Sequence, residues 1–361
     1  MKILYISPEN TVGTLSLWQQ VHRDRGHECR YITFYPSPMG FADDIALRLP
    51  LVHGSRLYEP LRERFYRWTR GPLYAAGKLP GNPPVWRPRN PLERLFFALR
   101  DRLWRLKIEP AIRAHDLLNF DIYHFEWGLD LYRNGNFISR VADRGKALLA
   151  TYHGQDFRNR GVLPAIDGRV GLSLTSEYDL IPRHPHLKYL YLPYDVSGTR
   201  PRKLLNDTLT ICHATRNRYV KGSDIIIAVC RQLEASHGIR FLLVENRSHA
   251  EVLAAKAQAD IYIDQITDVA PGYGMNSIEA MALGVACCTR MDAAWEAFMP
   301  DHPFVNVTPA NLLAELTALV EDRDRLLELG RRARQWAESH HDLPAAGDML
   351  YGYYRELGLA V

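Results

Sequence analysis

Short apolar runs that end in turn chemistry, each followed by a stretch with helical spacing, open the chain and return in its second half. Ile3-Leu4-Tyr5-Ile6-Ser7 is the first such run, and Leu15 to Val21 then shows helical spacing until Gly26 stops it. Cys29 to Tyr35, Asp121 to Phe125 and Ala147 to Tyr152 predict further strands, each leading into a polar loop. Gly171 to Ser176 and Tyr189 to Leu192 continue the series. Between the second strand and Asp121 lies a long Pro-rich insertion, about 55–115, in which Leu92 to Arg113 predicts an amphipathic helix with Leu95, Leu99, Leu103 and Leu106 on one side and its charges solvated.

Pro193 to Leu205 is polar and reads as a linker, after which the pattern restarts. Leu209 to His213, Ile239 to Glu245, Ile261 to Asp264 and Val285 to Thr289 predict strands. They alternate with helices at Ser223 to Ser236, His249 to Gln258 and Met275 to Leu283, and Asn311 to Leu357 is helical with a loop near His340 to Pro344. Strands alternating with helices imply parallel sheets covered on both faces, hence an α/β chain. The expected units are 1–195, 196–338 and a C-terminal helical segment, 339–361, that returns to the first domain.

Composition changes this picture little. At 361 residues, 47% hydrophobic and 24% charged, the chain is long enough for two ordinary domains and lacks the bias of disordered or collagenous sequences. No stretch reaches the roughly 20 apolar residues of a spanning helix, and Met1-Lys2-Ile3-Leu4 opens a strand pattern rather than a signal peptide. A cytoplasmic protein is the expectation. Cys29, Cys212, Cys230, Cys287 and Cys288 show no CxxC spacing, so buried thiols are expected and no metal site. The formal charge of +4 is uneven: Leu61 to Arg113 carries thirteen Lys or Arg against four Asp or Glu. Interleaved with them are Phe65, Tyr66, Trp68, Tyr74, Trp86, Phe96, Phe97 and Trp104. Such a segment suits an anionic partner, whether a phospholipid surface, a lipid-linked or polyanionic acceptor, or nucleic acid.

Four stretches carry candidate chemistry. Asp260-Ile-Tyr-Ile-Asp264-Gln265 is followed by Gly272-Tyr273-Gly274-Met275-Asn276-Ser277-Ile278-Glu279-Ala280-Met281-Ala282-Leu283-Gly284. A Gly-rich loop entering a helix lets backbone N–H groups approach a phosphate, and Glu279 lies about a turn and a half inside that helix. His213-Ala-Thr-Arg216-Asn-Arg218-Tyr-Val-Lys221-Gly222 puts three cations within six residues at a strand's C-terminal end, suited to a diphosphate. Thr151-Tyr152-His153-Gly154-Gln155-Asp156 and Phe125-Glu126-Trp127-Gly128 occupy two strand ends of the first half, where open α/β sheets bind ligands. The loop Pro8 to Ser16 contains only Gly13 and lacks GxGxxG spacing, which counts against a dinucleotide-binding first domain.

The Gly-aromatic-Gly loop and EAMALG helix, preceded by the cation–Lys221-Gly222 loop, resemble the donor site of family 4 glycosyltransferases. The resemblance is clear from about Leu209 to Gly284 and thin before residue 190. It implies a GT-B fold, two Rossmann-like doubly wound domains facing each other across a cleft. It also implies a retaining, metal-independent transfer of a sugar from a UDP- or GDP-linked donor, with no cofactor. Its acceptor would be a glycan, a lipid-linked group or a small molecule. On this likeness Lys221 and Arg216, with Arg218 competing for the latter role, clamp the diphosphate, Glu279 holds the ribose, and His153 orients the sugar. Gly13, Glu126, Asp156, Gly272, Tyr273, Gly274, Met275 and Asn276 complete the expected substrate contacts. The partners then expected are the nucleotide sugar, the acceptor and, through the basic insertion, an anionic membrane at the inner face; nucleic acid is not. The family's motif has two Glu separated by seven residues, and Pro271 stands where the first would be. Asp264, Asp268 or the amides of Gly272 to Met275 are the candidate replacements, and a non-catalytic subunit binding nucleotide or glycan is the rival reading.

Overall fold

The apolar runs form two all-parallel sheets. In the computed structural model, which describes residues 1–52, 81–88, 90–269 and 271–361, the chain divides into Met1–Leu190 with Met349–Val361, and Tyr191–Asp348. The division falls five residues before the expected one at 195/196.

The first unit contains β1 (Lys2–Ser7), β2 (Glu28–Thr33), β3 (Ile45–Ala46), β4 (Ile122–Glu126), β5 (Ala147–Tyr152), β6 (Leu172–Thr175) and β7 (Leu187–Tyr189). Their order is β3-β2-β1-β4-β5-β6-β7. Ile3, Leu4, Tyr5 and Ile6 are all buried, as a central strand covered on both faces requires. The final strand lies earlier than the Tyr189 to Leu192 run suggested, because Leu187 and Tyr189 register with Ser173 and Thr175 of β6 and the chain then leaves the sheet. The two-residue β3 was not legible as a strand.

Tyr351 and Tyr354, from the helix Leu343–Glu356, close part of this unit's core. The Tyr351 hydroxyl lies 2.9 Å from His22 Nδ1, and that of Tyr354 lies 2.6 Å from His124 Nε2. Burial pushes both histidines down, His124 to about 3, so these rings are neutral structural members.

The helix expected at Leu92 to Arg113 spans Pro91–Ala114, its first turn capped by Asn90, whose Oδ1 accepts from the Glu93 amide at 2.8 Å. Its packing face corrects the sequence reading: Trp104, Ile108 and Ile112 are buried, and the leucines are exposed. Trp104 meets Phe34 edge to face at 5.6 Å and donates from Nε1 to the Pro50 carbonyl at 2.7 Å, which fixes the helix's rotation. Residues 53–80 of the basic-aromatic segment, among them Phe65, Tyr66, Trp68 and Tyr74, and Arg89 lie outside the described residues.

The second unit holds β8 (Thr210–Thr215), β9 (Arg240–Glu245), β10 (Ile261–Ile263), β11 (Ala286–Thr289) and β12 (Val305–Asn306), in the order β12-β11-β10-β8-β9. Its core packs Ile211, Ile226, Leu233, Ile263, Cys288, Leu316 and Leu326. All five cysteines are free and buried; burial pushes the Cys212 and Cys230 thiols up to about 12. In each sheet the strand order reverses once, between β1 and β4 and between β8 and β10. Those reversals are where an open parallel sheet leaves a crevice at its carboxyl edge.

Candidate functional site

Two groups of polar side chains sit at these carboxyl edges, one in each unit. In the second unit the loop after β8 and the loop after β10 flank the reversal. His213, fully buried near the end of β8, donates from Nδ1 to the Ile263 carbonyl at 2.8 Å and accepts from Ser223 Oγ at 2.8 Å. Burial pushes its pKa down to about 4, so it is neutral and ties β8 to β10. A short helix, Arg218–Lys221, capped by Asn217, then turns Lys221 back over the sheet edge. Gly222 follows with φ +72°, and a Cβ there would meet Ile266 at 2.5 Å, so only glycine allows this return.

Lys221 Nζ forms a short ion pair with Oδ1 of Asp264, the first residue beyond β10. The other carboxylate oxygen of Asp264 accepts from Ser277 Oγ at 2.7 Å. Burial alone would push Asp264 up, but the Lys221 ammonium and these hydrogen bonds outweigh it and hold the carboxyl below its ordinary range. The sequence had assigned Lys221, Asp264 and the Gly272–Glu279 segment; the fold brings them to one place. Ser277 lies inside that segment but was not among the expected contacts; its own residue type does not distinguish it from its neighbours.

The helix Met275–Ala282 begins at Gly274. Gly272 has φ +104°, and a Cβ on it would lie 2.5 Å from the Trp295 ring, so this turn requires glycine. Its amide donates to the Arg290 carbonyl at 2.7 Å, and its carbonyl accepts from Thr289 Oγ1 at 2.7 Å. The Gly272 amide is therefore already used, which narrows the expected amide set. Gly274 differs: its backbone is extended, and a Cβ there would meet nothing within 4 Å. Tyr273 lies against Phe304, with its hydroxyl 3.0 Å from His341 Nε2.

Glu279 is buried and held from two sides. His249 Nε2 donates to Oε1 at 2.7 Å, and Lys256 Nζ bonds Oε2 at 2.5 Å and Asn276 Oδ1 at 2.7 Å. Lys256 is 0% exposed and lies 5.0 Å from the Tyr262 ring centroid. Burial would raise the Glu279 pKa, but the bond from His249 and the Lys256 charge keep it below the usual carboxylate range. His249 and Lys256 were missed as site residues. They are seven apart on one helix and so share a face, a signal that does not say what that face meets.

Two predicted cations stand apart from this group. Arg218 is turned away, bonding Glu245 twice at 2.7 Å and Asp224 at 3.1 Å. Arg216 is exposed and pairs with no described side chain. Asp268 is exposed and bonds Arg290 at 2.8 Å.

In the first unit, β4 ends in Glu126, and His153 directly follows β5. His153 Nε2 donates to Glu126 Oε2 at 3.0 Å, and the Trp127 ring meets the imidazole edge to face. The His153 amide donates to Asp156 Oδ1 at 2.8 Å, so Asp156 caps the short helix Gly154–Asn159. Burial alone would lower the His153 pKa; the hydrogen bond and charge of Glu126 outweigh it and bring it to about 8. Burial raises that of Asp156. The loop after β1 is organised by buried Asn10, whose side chain donates to Ser16 Oγ and the Ala42 carbonyl, each at 2.9 Å, and accepts from the Leu15 amide. Gly13 closes the turn with φ +78° against Phe41. Asn10 was missed.

Among the described residues no group of three or more His, Cys, Asp or Glu side chains is arranged to hold a metal ion.

No family model matches the chain, and no curated protein matches it by sequence. Solved structures do resemble it. Sucrose-phosphate synthase from Thermosynechococcus elongatus aligns over 100% of both chains at 14% identity, with a TM-score of 0.60. An alpha-glucosyltransferase in complex with UDP and a 13-mer DNA containing a central A:G mismatch aligns over 98% of this chain and 99% of its own at 10% identity, TM-score 0.55. A glycosyltransferase from Rickettsia africae aligns over 100% of this chain and 99% of its own at 12% identity, TM-score 0.55. At such identities the likeness shows the fold, and that fold is GT-B.

Proposed function

We propose that the chain is a glycosyltransferase that moves a sugar from a nucleoside-diphosphate donor, UDP- or GDP-linked, to a glycan, lipid-linked or small-molecule acceptor with retention of configuration. The observation that carries this reading is the meeting of Lys221, Asp264 and the start of the helix Met275–Ala282 where β8 and β10 diverge. An ammonium beside a helix N-terminus with an open glycine suits an oxyanion, and the fold resembles that of known sugar-transferring enzymes.

In this reading Lys221 exchanges part of its bond to Asp264 for the diphosphate, and exposed Arg216 folds in to share the charge. Together they do the work that a metal ion does elsewhere. Each oxygen of Glu279 has two acceptor positions and uses one on His249 or Lys256, so a position remains on each for a ribose hydroxyl. The bond between the anomeric carbon and the phosphate oxygen breaks, with its electron pair going to that oxygen. The acceptor oxygen bonds to the same face of the carbon, and its proton passes to the departing phosphate. His153 is assigned to the transferred sugar. Its pairing with Glu126 raises its pKa to about 8 and favours the protonated ring, which can donate from Nδ1 as well as Nε2.

Pro271 supports the second reading, a GT-B subunit that binds nucleotide or glycan without turnover. Calorimetric titration with UDP, GDP and their sugars, beside turnover with an acceptor panel and anomeric assignment of product by NMR, tests both. Turnover lost in Lys221→Ala and Glu279→Ala supports the transferase. Binding with no turnover under any acceptor supports the subunit, and no nucleotide binding at all defeats both.

A further inference from the structure

The helix Pro91–Ala114 turns its leucines the wrong way for a soluble protein. Leu92, Leu95, Leu99, Leu103 and Leu106 are 76%, 54%, 56%, 43% and 73% exposed. At about 100° per residue they fall in one stripe roughly 80° wide, opposite the line of Trp104, Ile108 and Ile112 that packs into the unit. The Trp104 bond to the Pro50 carbonyl, with the Arg100 guanidinium 3.9 Å from the Trp104 ring centroid, holds that rotation, so the leucines cannot roll inward.

The charges around the stripe have one sign. Arg102 and Arg113 flank it on one side, and Lys107, whose ammonium donates to the Arg48 carbonyl, lies on the other, all exposed. The helix's acids are withdrawn. Asp101 is buried against Arg100 and the Arg133 amide, and Glu109 binds Arg140 and the Tyr132 hydroxyl. Glu93 is half-buried.

We infer that this stripe docks the protein on an anionic bilayer, with the helix lying in the interface plane. A ridge of leucines between long cationic side chains matches that surface: the leucines enter the acyl boundary while Arg and Lys stems reach lipid phosphates. Contact is peripheral, since no helix among the described residues is long and apolar enough to cross a membrane. The inference does not rest on the transferase reading.

Co-sedimentation of the full chain with vesicles of phosphatidylcholine plus phosphatidylglycerol, and with phosphatidylcholine alone, tests it. Binding should be confined to the anionic vesicles. Leu92→Gln, Leu99→Gln and Leu106→Gln should each weaken it roughly tenfold, and Arg102→Gln and Arg113→Gln roughly fivefold each. These side chains stand in solvent, so the variants should keep the wild-type thermal midpoint. Equal binding to both vesicle types, or leucine variants that bind as wild type, would overturn the inference. So would a wild-type dimer that the leucine variants convert to monomer without any lipid binding, since the stripe would then serve a second copy.

Discussion

The two sheet edges share a topology and differ in charge. At the edge of the second unit, Lys221 and Lys256 are matched to Asp264 and Glu279, and both carboxyls are held below their ordinary range. At the edge of the first, His153 and Glu126 form a pair whose imidazole is shifted to about 8. The former pairs ammonium groups with carboxyls that those contacts favour ionised; the latter pairs a carboxylate with an imidazole whose pKa is raised.

The largest test of this contrast removes the buried ammonium. Lys256→Met leaves the Glu279 carboxylate buried with one partner fewer and should cost about 3–5 kcal/mol in urea unfolding, with much of the loss recovered in Lys256→Met/Glu279→Gln. Lys221→Ala should lower turnover by about 10²–10³-fold, as removal of a charge-stabilising donor does. A loss under threefold would break the diphosphate assignment. Glu279→Gln should weaken nucleoside-diphosphate binding by about 1.5–3 kcal/mol and leave inorganic pyrophosphate affinity unchanged, as read by calorimetry.

The smallest effect concerns His153. A histidine pKa raised from 6.5 to about 8 stabilises the protonated ring. That contribution, at most about 2 kcal/mol, is full below pH 6.5 and is lost as pH rises through 8. NMR titration of the imidazole should place its midpoint near 8, and Glu126→Gln should lower it. A midpoint unmoved by that substitution would separate the two residues.

Much of the second unit's polar group was legible because glycines announce backbone geometry. Gly222 and Gly272 both adopt positive φ, and their Cβ atoms would strike Ile266 and Trp295, so the turns carrying Lys221 and the helix Met275–Ala282 are written locally. His249 and Lys256 were not legible: their helix is plain, and only its packing shows that one face meets Glu279. The Leu92 to Arg113 segment misled for a related reason. Periodicity identifies a helix and its apolar stripe, yet two faces competed here, and the aromatic one won through Trp104.

By itself the sequence determined the strand and helix order, the parallel α/β class, the restart near residue 200 and the turns that need glycine, because these depend on residues adjacent along the chain. Tertiary structure alone decided which loops share a sheet edge, that Lys221 meets Asp264 and Lys256 meets Glu279, and which face of the Pro91–Ala114 helix is buried. Those outcomes depend on strand order and on packing between residues far apart in sequence, and no local pattern encodes them.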